Sequence, residues 1–194
     1  MGTPKYALTL GSETLLQRIC RIVSESTSSV MVVAAPDQPM PALPDGITVL
    51  RDAVPGQGPL AGITTGLNSC PSVRAGEPTQ KVFVTACDAP LLQSRLIDLL
   101  YTRLADHDAI VIRSGDRLNP LCAVYDTRIT GLANKLLQQG ERRPRVLLES
   151  IDTRFVDEDV VREVDPQLLS LKNANTPEEF DELAAAYTTE IKSS

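Results

Sequence analysis

Two acidic side chains follow short apolar runs, and one of them, Asp88, could hold a metal ion against phosphate groups. Asp88 comes after the run 81–86, in the stretch CDAP at 87–90, and Asp52 follows the run 47–50. A carboxylate at the end of a buried strand can hold Mg²⁺ against nucleotide phosphates, because magnesium takes hard oxygen ligands and keeps several waters. Taken alone, Asp88 is also consistent with a turn or a helix cap.

A glycine-rich segment, GQGPLAG at 56–62, comes a few residues after Asp52. Gly56 and Gly58 predict a flexible loop, and Pro59 suits the first turn of a helix built from small residues. Exposed amides at such a helix start favour an anion. The segment matches neither GxGxxG nor the P-loop pattern, so a purely structural turn remains an alternative.

Cationic and amide side chains form the remaining candidate groups. Arg142 and Arg143 lie in QQGERRPR at 138–145, where their guanidiniums could bind a phosphate or could simply sit at a helix C-terminus. Asn173 and Asn175 precede a well-capped helix start, a position where Asn is common. Lys5 is a lone cation near the start of the sequence.

Composition limits the classes of function. The 194 residues carry a net charge of −6, which argues against a nucleic-acid or membrane-surface partner and favours a small ligand. The length predicts one domain, 1–194. We expect a cytoplasmic protein, because neither a transmembrane run nor a signal peptide is apparent. Four widely spaced cysteines and a single histidine suggest neither a zinc site nor a disulfide framework.

Strand and helix patterns alternate along the chain, and this order must position the candidate side chains. Predicted strands cover 30–35, 47–50, 81–86, 109–113, 120–126 and, at an edge, 153–159. Predicted helices cover 13–26 with Ser12 as cap, the segment from Pro59, 92–107, 128–140, 144–151 and 176–191 with Thr176 as cap. This alternation predicts an α/β fold with a mostly parallel sheet between helices, whose ligands bind at the carboxyl ends of the strands.

Taken together and in this order, the segments resemble those of the molybdenum cofactor guanylyltransferases, which are nucleotidyltransferases with a Rossmann-like fold. The resemblance runs from Met1 to about Leu183. GPLAG and CDAP are similar to segments shared by several related nucleotidyltransferases. GERR and NANTPE point more narrowly to the molybdopterin branch.

The resemblance implies Mg²⁺-dependent transfer of GMP from GTP to molybdopterin, with release of pyrophosphate. Lys5 and Asp88 would be catalytic, with Asp88 also the metal ligand. Arg142, Arg143, Asn173 and Asn175 would bind the pterin substrate. The nucleotide-binding residues implied by the resemblance are Lys5, Asp52, Gly58, Pro59, Leu60, Ala61, Gly62 and Asp88.

The chain departs from the family pattern at its beginning. The family opens with a buried strand and a glycine-rich phosphate loop, of which only Met1 and Gly2 match here. Without that strand we expect a gap in the sheet, with unpaired backbone groups on both sides, and poor turnover. A start codon further upstream, a degenerate copy of the gene, or another segment or subunit in the gap would each account for this.

Two alternatives to GMP transfer remain open. The first is transfer of CMP to molybdopterin, or another nucleotidyl transfer, because Pro36 stands where the family has an Asn that helps hold the nucleotide. The second is a non-catalytic relic that contacts molybdoenzymes or their chaperones as a binding module.

Overall fold

The computed structural model describes residues 4–52, 56–71 and 78–193, with side chains described up to residue 188. The match at Met1 and Gly2 lies outside these ranges. The helices are α1 (Leu15–Ser26), α2 (Gly58–Asn68), α3 (Ser94–Leu104), α4 (Thr130–Gln138), α5 (Pro144–Glu149), α6 (Glu158–Arg162) and α7 (Pro177–Ser193). The strands are β1 (Thr9–Leu10), β2 (Glu13–Thr14), β3 (Val30–Ala34), β4 (Ile47–Arg51), β5 (Lys81–Thr85), β6 (Ala109–Ser114), β7 (Arg117–Asp126) and β8 (Thr153–Asp157).

The longer strands form two separate sheets. β3 and β4 make a parallel pair, with Val32 opposite Val49. A four-stranded sheet has the order β5-β7-β6-β8, with β8 at an edge as predicted. Among the described strands, no ladder joins the β3–β4 pair to the four-stranded sheet. The split agrees with the gap expected from the sequence.

The predicted Rossmann-like α/β class is confirmed, but the strand directions are more mixed than predicted. β7 runs antiparallel to both β5 and β6, whereas β8 is parallel to β6. The reason is the short connection between Ser114 and Arg117, where Gly115 has a φ of +59°. A two-residue turn can join only antiparallel strands.

Helices cover both faces of the four-stranded sheet. Ile110 and Ile112 of β6 face a cluster formed mainly with α1 and α3, while Ala109 and Val111 face one formed with α2, α4 and α5. These four residues are fully buried. Alternate residues of a strand point to opposite faces, so an unbroken apolar run is what this central position requires.

The two helices nearest the ends of the described chain have well-formed starts. Thr14 caps α1, because its hydroxyl accepts the Gln17 N–H at 3.2 Å while the Gln17 side chain accepts the Thr14 N–H at 2.8 Å. The prediction of Ser12 as the cap was therefore wrong. Thr176 caps α7 as predicted, since its hydroxyl accepts the Glu179 N–H at 3.1 Å.

Helix length also bears on the question of a membrane. Within the described ranges, the model has no helix that combines the length and the apolar character needed to cross a bilayer.

Candidate functional site

Three distant segments bring their polar side chains together at one point. The Lys5 Nζ donates to Asp88 Oδ2 at 2.8 Å and to Asn175 Oδ1 at 2.7 Å. Lys5 belongs to a short 3-10 helix, Asp88 to the turn after β5, and Asn175 to the loop before α7. All three residues are predicted separately from the sequence, and the structure joins them in one cluster.

The turn that carries Asp88 is held from two sides. The Asp88 carbonyl accepts the N–H of Ala174 at 2.8 Å, which ties the turn to the asparagine loop. The buried Arg18 of α1 donates from Nε to the Pro90 carbonyl at 2.6 Å, and its guanidinium lies 4.3 Å from the centre of the Tyr187 ring. These contacts fix the carboxylate against α1 and the loop before α7.

The loop that carries Asn175 is fixed by the helix cap that follows it. Glu179 Oε2 accepts the N–H of Asn175 at 2.8 Å and the N–H of Thr176 at 3.1 Å. The backbone of Asn175 is therefore held by the first turn of α7, while its side chain reaches Lys5. Asn173, two residues earlier, is exposed.

One oxygen of Asp88 is left without a partner. Asp88 Oδ1 is buried and accepts no hydrogen bond in the described part of the protein, while Oδ2 is held by Lys5. A buried acceptor without a partner is costly unless a ligand completes it. A single carboxylate oxygen fits Mg²⁺, which is commonly bound by one or two carboxylates together with substrate phosphates. Within the described ranges, no group of three acidic, histidine or cysteine side chains forms a metal site.

A second part of the candidate site lines a cavity of about 790 Å³. Its polar lining includes Asp52, whose Oδ1 accepts the Thr65 hydroxyl at 2.8 Å. Gly58, Pro59 and Gly62 also line it. The Leu60 and Ala61 side chains are buried, so these residues could offer only backbone atoms to a nucleotide.

The start of α2 has little capacity for an anion. Pro59 lacks an N–H, and the Leu60 N–H is directed at the Arg142 carbonyl at 3.4 Å. Gly58 has a φ of +75°, and a Cβ there would lie 3.2 Å from the same carbonyl. The glycine therefore allows the segment around Arg142 to pack against α2. This contact brings the glycine-rich segment at 56–62 next to the arginine segment at 138–145.

The predicted arginine pair is largely engaged by its own segment. Arg142 Nη1 donates to the Leu137 carbonyl at 3.1 Å, which closes the end of α4. The Glu141 carboxylate accepts the backbone amides of Arg142 and Arg143 and the guanidinium of Arg143, at 2.8 to 2.9 Å. The Arg143 guanidinium, with those amides, lowers the pKa of the Glu141 carboxyl to about 2. The Arg143 side chain is nevertheless 76% exposed.

Cys87 precedes Asp88 and could be mistaken for a nucleophile. Burial, with the Asp88 carboxylate beside it, raises the pKa of the Cys87 thiol to about 11. The thiol is therefore protonated at neutral pH, and only the thiolate is strongly nucleophilic.

Sequence reasoning missed the residues that support the cluster. Arg18 lies three residues after Leu15 and one before Ile19, on the buried face of α1, and that placement of a charge was a usable signal. Glu179 lies three residues after the Thr176 cap, and that spacing is typical of a capping box. The pairing of Glu141 with Arg143 had a weaker signal, since the two are close in sequence but their geometry was not predictable.

Comparison with known proteins finds similarity to one group of nucleotidyltransferases. Residues 1–164 match the family model of the MobA-like NTP transferase domain. The chain is 37% identical over 155 residues to a probable molybdenum cofactor guanylyltransferase of Mycobacterium tuberculosis, covering 78% of this chain and 74% of that protein. It is 30% identical over 186 residues to the molybdenum cofactor guanylyltransferase of Desulfosudis oleivorans, covering 95% and 88%.

Solved structures support the fold. Molybdopterin-guanine dinucleotide biosynthesis protein A of Archaeoglobus fulgidus superposes with a TM-score of 0.78 at 20% identity, covering 97% of this chain and 92% of that one. The 2-C-methyl-D-erythritol 4-phosphate cytidylyltransferase of Thermus thermophilus gives 0.70 at 15% identity, covering 95% and 94%.

Proposed function

Because the chain belongs to the MobA-like NTP transferase family and is a nucleotidyltransferase, we propose that it transfers GMP from GTP to molybdopterin and releases pyrophosphate. The substrates are proposed from the names of the curated relatives, which are molybdenum cofactor guanylyltransferases. The observation that supports the proposal most is the convergence of Lys5, Asp88 and Asn175, with one oxygen of Asp88 unused.

Asp88 would hold Mg²⁺ through Oδ1 while Oδ2 keeps Lys5 in place. When bound, the metal neutralises phosphate charge as pyrophosphate leaves. A lysine ammonium has three N–H donors, and two of those of Lys5 point at Asp88 and Asn175. The third can donate to a phosphate oxygen. No nucleophile from the protein is needed, because the terminal phosphate of molybdopterin attacks the α-phosphorus.

The other predicted residues would bind the two substrates. Asp52 and the segment from Gly58 to Gly62 would line the nucleotide pocket, since Asp52, Gly58, Pro59 and Gly62 already line the cavity. On the pterin side, the exposed guanidinium of Arg143 is the better phosphate contact, because that of Arg142 closes α4. Asn173 is exposed and would complete that side.

A non-catalytic binding module remains the rival function. It would have no use for a buried carboxylate oxygen without a partner, and the Asp88 geometry therefore favours the enzyme. Pro36 offers the base no side-chain hydrogen bond, so the choice of guanine is proposed from the names of the relatives alone.

The test is a pyrophosphate assay with purified protein, molybdopterin, Mg²⁺ and either GTP or CTP. We expect release above the background of the Asp88→Asn variant, faster with GTP, and none with excess chelator. The rate should be low, because no ladder between described strands joins the strand pair next to Asp52 to the sheet next to Asp88. Faster release with CTP would overturn the guanine assignment. Tight binding of GTP without any release would favour the binding module.

A further inference from the structure

Two segments of the candidate site are tied together at both of their ends. The Ala174 N–H donates to the Asp88 carbonyl at 2.8 Å. The Gln93 N–H donates to the Ser170 hydroxyl at 3.1 Å. The first bond joins the start of one segment to the end of the other, and the second joins the opposite ends, so the two segments run in opposite directions. Their relative position therefore depends on two hydrogen bonds, and one of these needs the Ser170 side chain.

Asp165, which follows α6, holds the Ser170 end of this arrangement. Asp165 Oδ2 accepts the Ser170 N–H at 2.7 Å, and both residues are 1% exposed. The bonded amide lies in the short 3-10 helix Leu169–Leu171, which leads into the asparagine loop. One buried carboxylate therefore fixes the residue that receives the N–H of Gln93 at the start of α3.

The hydrogen bonds of Asp165 do not by themselves explain a charge in this position. Asp165 Oδ1 is buried and accepts no hydrogen bond from any described residue. A buried carboxylate oxygen without a partner lowers the stability of a fold. Leu168 adds a second unfavourable feature, because its φ of +54° is a left-handed conformation that disfavours residues with a side chain. Unfavourable local features of this kind concentrate at functional sites, where they fix a geometry.

Asp126 is a second buried aspartate, and its contacts show an ordinary structural role. Its Oδ1 accepts the Arg128 N–H at 2.9 Å at the start of a 3-10 helix, and its Oδ2 accepts the Thr79 hydroxyl at 3.1 Å. Asp126 is the register partner of Lys81, at the end of β5 opposite the candidate site. Both of its oxygens serve the fold away from the site, which makes Asp126 the matched control for Asp165.

We propose that Asp165 is a positioning residue for the candidate site. Its hold on Ser170 fixes how the Asp88 turn lies against the asparagine loop. Without the Asp165 carboxylate, Ser170 gains freedom to move, and the bond that joins the two segments at the Asp88 carbonyl breaks more often. The influence of Asp165 on catalysis rests on the proposed transferase function, whereas its influence on the hydrogen bonds of the site does not.

The first test measures hydrogen exchange of the Ala174 amide by NMR in the full chain. Asp165→Ala should speed this exchange at least about fivefold relative to that of the Val124 amide, because local opening adds to global unfolding. Val124 is buried in the interior strand β7 and reports the loss of the whole fold. Asp126→Ala should not raise the ratio of the two exchange rates. An equal rise in both variants, or no rise in Asp165→Ala, would overturn the proposal.

Two further variants provide the test if Asp165→Ala does not fold. Asp165→Asn retains an oxygen acceptor for the Ser170 N–H, so we expect Ala174 exchange within about twofold of the parent. Ser170→Ala keeps that N–H but removes the hydroxyl that holds Gln93, and should speed the exchange about 2- to 10-fold. Unchanged exchange in Ser170→Ala, or an equal rise in Asp165→Asn, would contradict an action through Ser170.

Kinetics then test the effect on the reaction. Asp165→Ala should lower kcat for pyrophosphate release about 3- to 10-fold with little change in the KM for GTP, because the cluster is misplaced while the nucleotide cavity is intact. Asp126→Ala should alter neither constant. An unchanged kcat in Asp165→Ala would overturn the positioning role. A parent chain without pyrophosphate release would refute the proposed function instead, and the exchange of Ala174 would still decide for or against Asp165.

Discussion

Charged side chains are paired differently in two regions of the molecule. One region is the cluster of Lys5, Asp88 and Asn175, and the other is the arginine segment at 140–143. In the cluster, three distant segments meet, and Asp88 Oδ1 accepts no hydrogen bond from any described residue. In the arginine segment, the Glu141 carboxylate accepts the backbone amides of Arg142 and Arg143 and two donors of the Arg143 guanidinium. From the sequence alone, the residues of the cluster and the arginine segment looked equally suited to phosphate binding.

The difference shows how local pairing alters what a charged motif can do. A carboxylate two residues from an arginine can occupy its donors without any contribution from the rest of the fold. A carboxylate held by a distant lysine depends on the whole fold for its position. Long-range convergence with an unused acceptor is therefore the better indicator of a ligand site than the density of charge in the sequence.

The largest expected effect is that of Asp88→Asn. The amide keeps the shape but loses the charge that would hold Mg²⁺, so we expect nucleotidyl transfer to fall about 10²- to 10³-fold. Pyrophosphate release at saturating Mg²⁺ measures this. Asp45→Asn, in an exposed loop, is the control and should change the rate little. A loss of less than threefold would remove the cluster from the active site.

Lys5→Met should have the next largest effect, because it keeps the long stem and removes the ammonium. We expect a loss of about 10- to 100-fold in kcat/KM for the nucleotide, since a charged donor to phosphate is lost while Asp88 remains. Steady-state kinetics at several GTP concentrations provide the measurement. Lys135→Met, an exposed change on α4, serves as the control. Comparable losses in both variants would count against a specific role for Lys5.

Gly58→Ala tests the contact that holds the arginine segment against α2. The positive φ and the Arg142 carbonyl 3.2 Å from the added Cβ predict a loss of about 1–2 kcal/mol in the free energy of unfolding. Urea titration measures it. Gly62→Ala is the matched control in the same helix, where a Cβ meets nothing within 4 Å and should be neutral or slightly stabilising. Equal stability of the two variants would show that the contact is unimportant.

The smallest expected effect is that of Glu141→Gln, and it should depend on pH. Pairing with Arg143 lowers the pKa of the Glu141 carboxyl from 4.5 to about 2 in the folded chain. Because the pKa is lower in the folded chain, the ionised Glu141 carboxylate stabilises the fold above pH 4.5. This contribution is lost as the pH falls through 2. The melting temperature of the variant should therefore be slightly below that of the parent at pH 6. At pH 2 the two melting temperatures should be equal. Glu182→Gln is the control; a difference that grows at low pH would contradict the assignment.

Much of the fold could be predicted because its central elements obey simple patterns. The apolar run at 109–112 is buried on both faces of the sheet, and the Thr176 cap starts α7. The direction of β7 was missed because the turn at Gly115 and Asp116 was not read as a hairpin. The cap of α1 was misplaced because Ser12 and Thr14 are both good capping residues, and only the Gln17 side chain distinguishes them.

The candidate site was predictable as a set of residues but not as an arrangement. The resemblance supplied Lys5, Asp88 and Asn175, yet nothing local indicated that the lysine bridges the other two across separations of 83 and 170 residues. Such contacts depend on how the loop before α7 packs against the Asp88 turn. The engagement of Arg142 with the end of α4 is likewise a matter of side-chain geometry.

The stacking of Arg18 on Tyr187 has a practical consequence for handling this protein. Arg18 holds the Pro90 carbonyl next to Asp88 while its guanidinium rests on a ring from α7. A fusion partner or purification tag that unwinds α7 would therefore disturb the turn that carries Asp88 through one side chain. We expect a rigid tag placed directly after α7 to lower Mg²⁺ affinity, and a long flexible spacer to restore it.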